Sequence, residues 1–254
     1  MKSFFIALQF LSRIQLVKQT VWTNEDFGRA VLFFPLVGWI IGILLAVIYA
    51  GCSYIFEEPY RSLLVVLSWF FITGGLHADG FMDTADGVFS GRSRERMLEI
   101  LKDSCVGANG VMAFFVLASL KICFLAHCSA DMALAALTGI PAAARFGTLI
   151  SIFQFPYARA QGLGKAFLQY APAYTMKGAF MLALLPTIYG GFLYVFLLGA
   201  AMLTALLINH WLTDVLGGVT GDTYGAVLEG SELILLGLTC ILSMASVHMG
   251  GFSL

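Results

Sequence analysis

Residues 74–91 read Gly-Gly-Leu-His-Ala-Asp-Gly-Phe-Met-Asp-Thr-Ala-Asp-Gly-Val-Phe-Ser-Gly, so three carboxylates, Asp79, Asp83 and Asp86, stand where a long apolar segment ends. On a helix, a spacing of i, i+4 and i+7 brings all three to one face. Like charges that close suppress one another's ionisation, and the pattern asks for a cation between them. A hard divalent ion such as Mg²⁺ suits it, because that ion is held by a few carboxylates while water and substrate phosphates complete its shell. The plainer alternative is a solvated acidic loop at a helix end. His77, just before the carboxylates, is a candidate phosphate donor or acid–base group.

Three further stretches carry chemistry. Arg145 stands inside the apolar run Pro141-Ala-Ala-Ala-Arg-Phe-Gly147, where an arginine costs at least about 2.5–3.5 kcal/mol on insertion scales. Either it snorkels to the nearby interface, or its guanidinium binds phosphate oxygens bidentately in a polar cavity. The segment Gly217-Gly218-Val-Thr-Gly221-Asp222 combines glycines, which let backbone N–H groups approach a phosphate, with a second acidic site. Asp222 also has the place of a helix N-terminal cap. The stretch Lys102-Asp103-Ser-Cys-Val-Gly107-Ala-Asn-Gly110 is a second glycine-containing turn, in which Asp103 and Gly107 are candidate substrate contacts. Gly162-Leu-Gly-Lys165 is too short for a Walker A loop and reads as an interhelical turn.

The elements that position these residues are membrane helices. Of 254 residues 59% are hydrophobic and 11% charged, with a mean hydropathy of +0.88, which excludes an ordinary soluble domain. Apolar stretches near bilayer-spanning length recur at about 30–50, 61–78, 108–127, 131–153 and 231–249. The charge-free run between Lys177 and Asp214 is long enough for two more, broken near Pro186 or Gly190-Gly191. The expectation is an all-α, polytopic membrane bundle of about seven transmembrane helices, forming one membrane-embedded catalytic domain over residues 1–254. The apolar runs are continuous rather than alternating, which excludes a β-barrel.

Net charge is −1, but basic residues gather in alternate loops: Lys2, Arg13, Lys18 and Arg29; Arg92, Arg94, Arg96 and Lys102; Arg159, Lys165 and Lys177. The positive-inside bias then puts the amino terminus and the acidic motif on the cytoplasmic face of the membrane. Phe4, Leu8, Leu11 and Ile14 recur at helical spacing with no small-residue cleavage site after them, as suits an amphipathic interfacial segment rather than a signal peptide. The five cysteines show no CxxC pairing, and no disulfide framework or zinc site is expected. The lipid bilayer is an expected partner and nucleic acid is not.

At these residues the chain resembles the cobalamin synthase family, the integral-membrane adenosylcobinamide-GDP ribazoletransferases of corrinoid assembly. The resemblance rests on Gly74 to Gly87, Lys102 to Gly110, Pro141 to Arg145 and Gly217-Gly-Val-Thr-Gly-Asp-Thr-Tyr-Gly225, with Ala7 to Ile14 and Phe34 to Gly38 in support. It implies that adenosylcobinamide-GDP is joined to α-ribazole, or its 5′-phosphate, with release of GMP and a requirement for Mg²⁺. It further implies attack by the ribazole 5′ oxygen, Asp79, Asp83 and Asp86 as Mg²⁺ ligands, and Asp222 as another ligand or a base. Arg145 would neutralise charge on the transferred group, and other corrinoid-assembly enzymes become candidate partners.

Two rivals are weighed against it. A CDP-alcohol phosphotransferase of lipid synthesis also uses a cytoplasmic Asp cluster, but its usual Ala-Arg is here replaced at Asp83-Thr84. A secondary transporter would be marked by inverted repeats, and the motif at 79–86 has no counterpart in the second half beyond Asp214 and Asp222.

Overall fold

The computed structural model describes residues 2–17 and 22–250, with side chains through Ser246. Lys18, one of the basic residues counted above, and the side chain of His248 lie outside the described set. Twelve helices follow in order among the described residues: α1 Lys2–Leu11, α2 Asn24–Ala30, α3 Phe34–Cys52, α4 Tyr60–Thr73, α5 Leu76–Val88, α6 Arg94–Ile100, α7 Ala108–Ala126, α8 Ala130–Gln154, α9 Leu163–Tyr170, α10 Thr175–Ala183, α11 Thr187–Leu216 and α12 Gly221–Gly250. A short 3₁₀ turn, Val31–Phe33, joins α2 to α3.

Helix α8 is the central post, buried from Leu137 to Ile152. It is lined with small residues, and its neighbours come close through small residues of their own, the usual solution where lipid supplies no hydrophobic drive between helices. Gly38 and Gly42 of α3 lie against the backbone at Pro141–Ala142 and Leu137–Thr138, with no room for a Cβ at either. Helices α8 and α11 run parallel, since Gly139 meets Tyr194, Gly147 meets Ala205, and Ser151 bonds Asn209. The chain between them must therefore return from one end of the bundle to the other. That return includes α10, whose Gly178 touches Leu32 near the start of α3 and whose Ala183 carbonyl accepts the Tyr194 hydroxyl.

Among the described residues five helices are long and apolar enough to cross a membrane, the continuous α2–α3 run, α7, α8, α11 and α12, or six if α4 and α5 together make one broken span. About seven were expected. The difference lies in the charge-free run: it breaks near Pro186 and again at Gly191, whose φ is +52°, but its first part, α10, has only nine residues. At 1.5 Å per residue that is about 13 Å, under half the apolar thickness of a bilayer. Exposed apolar side chains such as Val111, Phe115, Phe192, Leu203 and Leu207 lie outward, where lipid would meet them. The amino-terminal helix differs from an interfacial one: Ile6, Ala7, Leu8 and Leu11 of α1 are buried in the protein core.

Helix α5 carries the acidic motif and does not continue α4. Gly74 and Gly75, both at positive φ, let the chain turn 92° between the two helices. The turned helix lies across the ends of α7 and α12. It crosses α12 where Gly80 meets the Asp222 carbonyl and Gly225 meets the His77 carbonyl, at 2.6 and 2.7 Å from where a Cβ would stand.

Candidate active site

The crossing of α5 and α12 forms one wall of a cavity of about 200 Å³. His77, Asp79 and Gly80 of α5, Arg145 and Thr148 of α8, and Gly221, Asp222 and Gly225 of α12 line it, with Leu163, Gly164 and Phe167 of α9 opposite. Four of the polar residues singled out in the sequence, His77, Asp79, Arg145 and Asp222, are thus brought together from three separate stretches.

The three motif carboxylates share a helix face but not an environment. Asp79 is exposed, Asp83 half-buried and Asp86 buried. Burial and the negative charges of Asp79, Asp222 and Asp86 push the Asp83 carboxyl up to about 6, as expected where a cation is wanted and none is counted. Asp86 is held differently: its two oxygens accept the backbone N–H groups of Gly107 at 2.7 Å and Gly110 at 2.8 Å, tying α5 to the amino terminus of α7. Among the described residues no three His, Cys, Asp or Glu side chains converge closely enough to chelate an ion by themselves. Asp79 and Asp83 nonetheless fit Mg²⁺, a hard cation that takes one or two carboxylates and leaves the rest of its shell to water and phosphate.

His77 is buried where α5 crosses α12. Its Nδ1 is buried without a hydrogen-bond partner. Asp222 is paired through Oδ2 with Arg159 at 2.6 Å, and Arg159 also donates to the Leu101 carbonyl.

Arg145 is fully buried, so it does not snorkel. Its Nη1 donates to the Pro141 carbonyl at 3.0 Å and meets Glu232 at 3.4 Å, while Nε and Nη2 are buried without partners. Behind it stands a charge network that the sequence reading missed. Lys121 Nζ bonds Glu229 at 2.6 Å and Glu232 at 2.8 Å and lies 4.6 Å from the Trp69 ring centre. Two cations and two carboxylates, each no more than 3% exposed, balance to zero charge inside the bundle. Lys121 and Glu232 fall within the apolar runs 108–127 and 231–249; an ionisable residue inside a span was the available signal.

The glycine turns serve the fold more than the cavity. Gly217, at φ +80°, ends α11, and Gly218 lies against the backbone of residues 156–158. Of the three glycines expected to contact substrate in that turn, only Gly221 lines the cavity. Gly107 serves Asp86, and Asp103, exposed, accepts the Cys105 N–H; neither reaches the cavity lining. Lys165 donates to the Ala160 carbonyl, as suits a turn. All five cysteines are free.

Paired carboxylates beside an unsatisfied guanidinium, enclosed by spanning helices, define a membrane-embedded transferase for phosphate-bearing substrates. The chain belongs to the cobalamin-5-phosphate synthase family, whose model matches residues 3–240. An adenosylcobinamide-GDP ribazoletransferase of Roseiflexus sp. (strain RS-1) is 37% identical over 231 residues, 91% of this chain and 86% of the relative. Enzymes of the same name from Clostridium acetobutylicum, 35% identical over 91% of this chain and 92% of the relative, and Desulforamulus reducens, 41% identical over 84% and 88%, are similar along almost their whole length. No solved structure matches.

Proposed function

We propose that the cavity between α5, α8, α9 and α12 is where this adenosylcobinamide-GDP ribazoletransferase joins its donor to α-ribazole or α-ribazole 5′-phosphate and releases GMP. The observation that carries the reading is the meeting of Asp79, Asp222 and the unpartnered Nε and Nη2 of Arg145 around one cavity. The family's name supports a nucleophile other than the ribazole 5′ oxygen expected above, since in a product that keeps a 5-phosphate that oxygen is already occupied. A secondary ribose hydroxyl is the nucleophile. Its oxygen bonds to the phosphorus on the cobinamide side of the diphosphate, the bridging P–O bond breaks, and GMP departs with that electron pair.

Asp79 and Asp83 would hold Mg²⁺, which neutralises diphosphate charge when bound. Asp222 accepts the hydroxyl proton: Arg159 and Thr220 both bond its Oδ2, which leaves Oδ1 for the substrate. Arg145 offers two N–H groups to phosphoryl oxygens, and His77 a hydrogen bond through Nδ1. Such a transfer depends on alignment and charge stabilisation rather than a covalent nucleophile on the enzyme.

Detergent-purified protein given both substrates and Mg²⁺ should release one GMP per ribazole joined; no release without a sealed vesicle would favour a carrier. Arg145→Lys should cut turnover at least about tenfold, about 1.4 kcal/mol at the transition state, because an ammonium cannot hold two oxygens in the guanidinium's plane. Wild-type turnover in a folded Arg145→Lys protein would remove Arg145 from the site.

The bias of basic residues supports a cytoplasmic site in the inner membrane. With Cys52 and Cys123 replaced by serine, an impermeant thiol reagent should label exposed Cys105 in inverted vesicles but not in intact cells with a permeabilised outer membrane. Labelling only in the intact cells would reverse the topology.

A further inference from the structure

The polar groups of the cavity account for phosphate and metal, but much of its remaining lining is unused by that chemistry. This part consists of Phe10, Leu11, Phe34, Leu76, Leu163, Phe167 and Leu228, with the Tyr224 ring beside them. Phe10 and Phe34 stack at 6.2 Å with 26° between their planes. Phe167 stands edge-on to both, at 5.8 Å and 71° from Phe10 and at 5.7 Å and 86° from Phe34. Three rings from α1, α3 and α9 thus pack on one another and present a single aromatic wall to the cavity. Phe34 and Phe167 are 3% and 4% exposed, so the wall is formed before any ligand enters.

We infer that this wall is the acceptor subsite, against which the benzimidazole ring of α-ribazole packs with its ribose directed toward Asp79 and Asp222. The inference rests on the reaction proposed above. A volume of about 200 Å³ lies below the usual range for drug-sized ligands, which suits a flat bicycle better than a corrin ring. The donor's guanine is the other flat bicycle in the reaction. Its edge carries several hydrogen-bond donors and acceptors that need partners once desolvated, and among these lining residues only Tyr224 brings a polar side-chain atom. A benzimidazole has an almost wholly apolar edge, and gains from burial and from edge-to-face contact with the phenyl rings. Placement agrees with chemistry: the ring that carries the nucleophilic ribose belongs within reach of the base, and the bulky corrinoid outside the cavity.

The test measures GMP release by purified enzyme against each substrate in turn, with equilibrium dialysis of labelled α-ribazole in the absence of donor. Phe167→Ala should raise KM for ribazole at least about tenfold, leave KM for the donor within about twofold of wild type, and weaken dialysis binding in parallel. Phe167→Leu keeps most of the volume without the ring, and gives the same direction should the alanine variant fold poorly. Excess guanosine should not displace the labelled ribazole. Unchanged ribazole KM in both variants, a rise in donor KM instead, or displacement by guanosine would each overturn the assignment. If the wild type released no GMP yet bound ribazole in a Phe167-dependent way, the proposed reaction would fail and the subsite would stand.

Discussion

Asp79→Asn and Asp83→Asn will each lower GMP release by at least about a thousandfold, the scale of losing one preorganised electrostatic partner of a transition state or somewhat more. Each amide keeps the shape of its carboxylate and loses the charge a hard cation requires. Neither substitution should lower the melting temperature. Burial, and then the negative charges of Asp79, Asp222 and Asp86, already push the Asp83 carboxyl up to about 6; removing one of these charges relieves the metal-free protein. Asp86→Asn serves as the contrast, because that carboxylate accepts the Gly107 and Gly110 N–H groups. There the expected signature is a stability loss of about 1–3 kcal/mol from loosening α5 against α7. Turnover near wild type in both Asp79→Asn and Asp83→Asn at saturating Mg²⁺ would remove the metal from this face of α5.

The parts of this arrangement that were legible in the sequence depend on local rules. Helical spacing put Asp79, Asp83 and Asp86 on one face, where a long apolar segment ends. Arg145 was conspicuous because a charge inside a span is costly. What escaped the sequence depends on which helices meet. Nothing in residues 217–225 says that Gly225 exists to let α5 cross at His77, or that Gly218 makes room for the backbone at Pro156; both resemble phosphate-cradling glycines until the neighbouring chain is seen. Phe10, Phe34 and Phe167 lie far apart in the sequence, each an ordinary apolar residue of its own helix, and only the packing of α1, α3 and α9 makes them one aromatic wall. The shortness of α10 was hidden for a related reason: hydropathy measures how apolar a run is, and although the break near Pro186 was legible, the nine-residue length of the piece before it was not.

Lys121→Met will destabilise the protein more than any change at the cavity surface, by about 3–5 kcal/mol, the cost of stripping one partner from a buried ion pair. The ammonium has two carboxylates within 2.8 Å and is fully buried. Without it Glu229 and Glu232 face each other across a desolvated space, with only Arg145 to offset them. The network's charge balance gives a sharper test than the single variant. Lys121→Met with Glu229→Gln removes one charge of each sign and leaves Arg145 opposite Glu232, so most of the lost stability should return. Non-additivity of the two substitutions then measures their coupling, read as melting temperature in detergent. Activity should follow a different pattern. Glu232 is bonded by Lys121 at one oxygen and met by Arg145 at the other, so it fixes where the guanidinium points. In the charge-balanced double variant Glu232 has lost its anchor, and GMP release should stay several-fold low after stability has recovered, a gap about the size expected for a mispositioned group. Full recovery of both would make the network a structural neutralisation of buried charge; recovery of stability alone would make Lys121 and Glu232 the support on which Arg145 is aimed.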